Sequence, residues 1–133
     1  MNERYLIDSH VWVWHLAAPE RIPDPIRKLI RADDSELALS MATLWELAIK
    51  ASSGRLPLPR PTVAYLLERA RDRDKDILAI TARHIEIVEA LPLHHRDPFD
   101  QMLVAQAIAD DRTLISADVE LQPYPVKLLL ARS

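Results

Sequence analysis

Apolar residues fall along this chain in two kinds of run. Tyr5-Leu6-Ile7, Leu37-Ala38-Leu39, Ile77-Leu78-Ala79-Ile80, Leu114-Ile115 and Leu128-Leu129-Leu130 are short and unbroken, without polar alternation. Blocks of that length and continuity read as strands covered on both faces. They predict strands over about residues 4–8, 36–40, 77–80, 113–116 and 126–130, the last at an edge. Between them the apolar positions recur at helical spacing, as in Ile26, Leu29, Ile30 and in Val63, Leu66, Leu67, Ala70. Helices are predicted over about residues 10–17, 24–32, 42–52, 62–72, 82–90 and 98–108. Strands alternating with helices make an α/β fold with a central parallel sheet of four to five strands, helices on both faces. In such sheets functional groups gather beyond the carboxyl ends of the strands, near the point where strand order reverses.

The punctuation agrees with this layout. Pro19, Pro23 and Pro25 break the chain around the start of the second helix, and Gly54 is a natural stop for the third. Leu56-Pro57-Leu58-Pro59-Arg60-Pro61 cannot be a regular helix or a central strand, so it is a stiff connector. Arg69, Arg71, Asp72, Arg73, Asp74, Lys75 and Asp76 form a mixed-sign run, read as a solvated face. Thr81 caps the fifth helix. Asp97 is a good N-cap for the sixth, with Pro98 at its first position, where the missing N–H costs nothing.

Composition narrows the chemistry. A chain of 133 residues, 49% apolar and 28% charged, suits one domain over residues 1–133. Cysteine is absent, which excludes disulfides, thiolate metal sites and a cysteine nucleophile, and fits a reducing compartment. No apolar run approaches the ~20 residues that span a bilayer, and no signal-peptide core follows Glu3 and Arg4. A cytoplasmic protein with no membrane partner is expected. The net charge of −3 argues against a protein that coats nucleic acid through a basic face. It leaves open an enzyme that meets one phosphodiester through metal ions.

Four acids fall where the sheet rule points. Asp8 ends the first strand, Glu46 opens the helix after the second, Asp100 opens the sixth helix and Asp118 follows the fourth strand. Each also has a structural reading. Asp8 could cap the next helix and Asp118 could start a turn. Thr43-Leu44-Trp45-Glu46 matches a capping box, and Lys50 offers Glu46 an i,i+4 ion pair. Capping does not require every element to place an acid at one end of one sheet. Converging carboxylates would repel one another without a cation among them, and oxygen donors with no thiolate select Mg2+ or Mn2+. Such a cluster suits metal-assisted phosphodiester hydrolysis.

The residues resemble the PIN-domain ribonucleases, most nearly the VapC-like toxins of toxin–antitoxin pairs. The matching segments are Tyr5-Leu6-Ile7-Asp8-Ser9-His10, Ser40-Met41-Ala42-Thr43-Leu44-Trp45-Glu46-Leu47-Ala48-Ile49-Lys50 and Leu93-His94-His95-Arg96-Asp97-Pro98-Phe99-Asp100. Leu103-Val104-Ala105-Gln106-Ala107 and Leu114-Ile115-Ser116-Ala117-Asp118 complete the set, which spans nearly the whole chain in order. The resemblance implies a three-layer α/β/α sandwich, a divalent-metal site of three or four acids, cleavage of single-stranded RNA and a cognate antitoxin protein. By that resemblance Asp8, Glu46, Asp100 and Asp118 are the catalytic and metal-binding acids, with Asp97 the second candidate for the third. Ser9 and Ser116 support them, Ser9 standing where many relatives carry Thr.

His94, His95 and Arg96 are candidates for contact with RNA phosphate or an antitoxin carboxylate. His10 and His15 are read as packed or partly exposed rather than as ligands, and Trp45 as core rather than as a base-stacking residue. Trp12, Trp14 and Leu16, with Ile26, Leu29 and Ile30, exceed what one short helical face needs and predict a homodimer surface. Two other functions share these residues. A catalytically silent interaction module has no reason to keep mutually repelling acids. A phosphatase with Asp8 as nucleophile would commonly carry a second Asp where His10 stands.

Overall fold

The computed structural model describes residues 3–32, 34–73, 75–92 and 97–132. His94, His95 and Arg96 lie outside them, as does Asp74 of the charged run. Strands β1 (Arg4–Ile7), β2 (Glu36–Ser40), β3 (Asp76–Leu78), β4 (Thr113–Ser116) and β5 (Leu128–Leu130) form one parallel sheet in the order β3-β2-β1-β4-β5. Helices α1 (Ser9–Ala17), α2 (Asp24–Arg31), α3 (Met41–Ser52), α4 (Thr62–Asp72), α5 (Ala82–Ala90) and α6 (Pro98–Ala109) connect them.

Neighbouring residues of one strand point to opposite faces, and the core divides accordingly. Ile7 and Ile115 join Val11, Trp12, Ile30, Leu47 and Leu66 of α1–α4 in one buried cluster. Leu6 and Leu114 join Leu103, Val104 and Ala107 of α6 in the other. Every one of these side chains is at most 1% exposed. The runs in β1, β2 and β4 are therefore read correctly as strands buried from both sides, whereas β3 and β5, at the edges of the sheet, are half-buried; the three-layer sandwich is observed.

Boundaries moved by small amounts for local reasons. Asp8 accepts from Val11 N at 2.9 Å, so α1 begins at Ser9. Ser40 accepts from Ala42 N at 2.9 Å and starts α3 at Met41, which places Thr43 inside the helix and leaves the Thr43–Glu46 capping box unformed. The capping box sits elsewhere. Thr81 Oγ1 accepts from His84 N, and His84 Nδ1 accepts from Thr81 N. Gly54, at φ +73°, ends α3 as expected. Strand β3 stops at Leu78, where its partner β2 ends at Ser40, so Ala79 and Ile80 lie outside it. Lys75 leaves the solvated run: it is only 9% exposed, with Nζ 3.4 Å from Ser35 Oγ.

Two expectations about aromatic and apolar side chains are corrected. The residues invoked for a dimer face serve the chain's own core. Trp12, Ile26 and Ile30 are buried, Trp14, Leu16 and Leu29 pack against the same cluster, and Arg21 covers the Trp14 ring at 4.5 Å. Conversely Trp45, expected in the core, is 61% exposed. Its neighbours Leu44 and Leu47 take the inward positions of α3 and turn it outward. Among the described residues no helix is long and apolar enough to cross a membrane.

Candidate active site

Strand order reverses between β1 and β4, and Asp8 and Asp118 follow the carboxyl ends of those two strands. The register pairs Ile7 with Ile115, and Asp8 N donates to Ile115 O at 2.9 Å. Asp8 thereby comes to Ser116, whose hydroxyl donates to its carboxylate and also accepts from Asp118 N at 3.1 Å. A cleft of about 180 Å³ opens there, lined by Asp8, His10, Trp14, Ala117 and Asp118.

Glu46 reaches the same region from α3. Its Oε1 accepts from Ser9 Oγ at 2.7 Å, with Thr43 Oγ1 3.2 Å from that hydroxyl, and Lys50 Nζ stands 2.9 Å from its Oε2. The i,i+4 pair is thus present. Asp8 and Glu46 are only 3% and 5% exposed. Burial raises the Asp8 pKa above the usual carboxylate range; Ser116, Val11 N and His10 pull it down, and the Glu46 charge adds to the rise. The buried Asp8 carboxyl is therefore costly to ionise without positive charge added beside it.

A second hollow, of about 470 Å³, runs between α3 and α6, lined by His10, Glu46, Ile49, Lys50, Asp97, Pro98 and Phe99. His10, read as no ligand from sequence, is exposed and lines both hollows. Asp97 caps α6, its Oδ1 accepting from Phe99 N at 2.8 Å and Asp100 N at 3.4 Å. Its place on the wall beside Glu46 is an addition that the capping pattern alone does not carry. Asp100 follows in the first turn of α6, half-buried.

Asp8 stands beside Glu46 and shares a cleft with Asp118, and Asp100 N donates to Asp97 at the start of α6. Among the described residues no three His, Asp or Glu side chains stand close enough together to hold an ion. A wider hollow of about 600 Å³, lined by Tyr5, Thr113, Lys127 and Leu128 among others, opens beside the beginnings of β1, β4 and β5. Sheets of this kind act at the opposite end, and the clustered buried acids are there. His15 is held apart, stacked on Trp12 with centroids 5.1 Å apart.

Comparison with known proteins follows the same outline. A family model described as the PIN domain matches residues 5–126. The chain is 31% identical over 120 residues to Ribonuclease VapC22 of Mycobacterium tuberculosis, covering 90% of each protein. In fold it is similar to a chain of the Rickettsia felis VapBC2 structure, solved with a DNA fragment from the promoter, at 18% identity and TM-score 0.73 over 95% of this chain and 97% of the other. The structure of VapBC-5, from a toxin–antitoxin family of Mycobacterium tuberculosis, matches at 18% identity and TM-score 0.61 over 98% of each chain.

Proposed function

Because the chain belongs to the PIN-domain family, we propose that it is a metal-dependent ribonuclease that cuts single-stranded RNA in the cytoplasm. The observation that carries this reading is the burial of Asp8 beside Glu46 at the reversal of strand order, in a chain whose curated relative is named a ribonuclease. An interaction module gains nothing from a buried aspartate whose ionisation burial and a neighbouring acid both make costlier.

The donor set fits Mg2+ or Mn2+. Such ions take one or two protein carboxylates and leave other positions to water and phosphate oxygens. Asp8 and Glu46 would hold the ion, with Asp118 beside them and Asp100 completing the acids; Ser9 and Ser116 would orient the first two. When bound, such an ion would supply positive charge to the phosphate and lower the pKa of its water. The chain's own residues prepare the place. The N-terminus of α1 and Ser116 fix the Asp8 carboxylate. Ser9 and Lys50 each hold one oxygen of Glu46, so that its plane is set before an ion arrives.

The relatives named VapBC favour a toxin role, with an antitoxin protein that binds this chain and silences it. The test is cleavage of a labelled single-stranded RNA in Mg2+, with EDTA as control, beside growth on induction. Wild type should cut the RNA and arrest growth, and Asp8→Ala should do neither. Cleavage that survives both EDTA and Asp8→Ala would overturn the proposal.

A further inference from the structure

Met41, Trp45 and Ile49 stand at successive turns of α3 and are 44%, 61% and 49% exposed. Residues four apart share one helix face, so these three form a row. A single exposed apolar side chain needs no explanation, but a row with a tryptophan at its centre does. The row borders the hollow between α3 and α6. Ile49 lines that hollow, and Trp45 meets Phe99, another lining residue, edge-on with centroids 5.1 Å apart and planes at 80°. An edge-on contact sets the edge of one ring against the face of the other, and Trp45, 61% exposed, still presents ring surface to solvent.

We propose that Trp45 and Phe99 form a stacking subsite for one unpaired RNA base, next to the acids that cut the strand. The proposal rests on the ribonuclease reading and names how that site holds its substrate. Two features favour a nucleic-acid occupant over a protein. The hollow shares Glu46 with the candidate catalytic acids and His10 with the Asp8–Asp118 cleft, so a strand whose phosphate lies at Asp8 and Glu46 runs directly into it. Trp45 is the residue immediately before Glu46 on α3, which ties the position of a stacked base to that of the scissile phosphate.

Loss of one aromatic platform typically weakens single-strand binding by roughly 5- to 150-fold. The experiment measures anisotropy of a short 5′-labelled single-stranded RNA of mixed sequence, in Ca2+ to slow hydrolysis, for wild type, Trp45→Ala and Trp45→Phe. Trp45→Ala should weaken binding by about tenfold or more, and Trp45→Phe, which keeps a π-face, should restore most of it. In an abasic scan of the same RNA, one position should cost wild type affinity and cost Trp45→Ala nothing, because the base and its platform are one interaction. In Mg2+ the KM of Trp45→Ala should rise far more than kcat falls. Thermal melts of the variants should match wild type, since Trp45 is exposed. Equal RNA affinity of wild type and Trp45→Ala, with cleavage intact, would overturn the subsite and leave the ribonuclease standing. A wild type that neither binds nor cuts RNA would overturn both. A Trp45→Ala variant with unchanged RNA affinity and altered sedimentation would assign the row to a protein interface instead.

Discussion

Ser9 and Glu46, 37 residues apart in the chain, are joined by a 2.7 Å hydrogen bond between Ser9 Oγ and Glu46 Oε1. Both are buried, and the bond ties the start of α1 to the first turns of α3. Ser9→Ala should cost about 1–3 kcal/mol in urea unfolding without metal, because a buried carboxylate loses a charge-assisted donor. RNA cleavage should fall with it. Ser9→Thr keeps the hydroxyl and should retain most of both properties.

Lys50 holds the other oxygen of Glu46, at 2.9 Å, with the Glu46 side chain only 7% exposed. In the metal-free protein it is the countercharge that a cation would otherwise supply. Lys50→Gln should therefore lower the melting temperature in EDTA and enlarge the rise produced by millimolar Mn2+, as the ion no longer competes with a tethered ammonium. Thermal melts with and without Mn2+ measure both effects. A variant that melts like wild type in EDTA would show that the pair carries no net stabilisation.

His15 sets an acid limit on the fold. Burial, with Arg73, Arg31 and Lys75 adding repulsion, pushes its pKa down to about 4 from an ordinary 6.5, and its ring is stacked on Trp12. The unfolded chain takes up this proton below about pH 6.5 while the folded chain refuses it until about pH 4. Its contribution to stability is thus complete above the unfolded value and is lost as pH falls through that window. His15→Phe keeps the stacked ring and removes the proton. Urea midpoints between pH 7 and 4 should fall less steeply for His15→Phe than for wild type; parallel curves would refute the assignment.

How much of this was legible in the residues follows from what each signal measures. The strands are visible because burial on both faces leaves no polar position, as Leu6 and Ile7 show by entering different cores. The acids at one end of the sheet are visible because strand ends and helix caps mark them. Which face of α3 is inward is a different matter. Trp45 has a large apolar side chain and every local reason to be buried, yet Leu44 and Leu47 already fill the core side. Helical spacing names a face only when the polar side is clear, and Met41, Trp45 and Ile49 obscure it. Trp12 and Ile30 err the other way, since a surplus of apolar residues on a short helix hides how deep it lies. Ser9 as the partner of Glu46 has no sequence signal beyond its place after Asp8, because the contact crosses 37 residues.

Asp97 and Asp100 separate capping from catalysis. Asp97 Oδ1 accepts from Phe99 N and Asp100 N, so its role at the start of α6 is a hydrogen bond that asparagine can also make. Asp97→Asn should leave metal-free stability nearly unchanged, whereas Asp97→Ala should lower it by about 0.5–2 kcal/mol. Asp100 lies one turn on, in the first turn of α6. Asp100→Asn keeps the shape and removes the charge, so it should abolish cleavage of a labelled RNA in Mg2+ with the fold intact. Asp97 also shares the hollow with Glu46, which gives its variants a second readout. If Asp97→Asn loses cleavage while Asp100→Asn keeps it, the two roles are reversed. Loss in both, with unchanged melts, would make the two acids joint members of the site, with Asp97 serving it and the helix cap together.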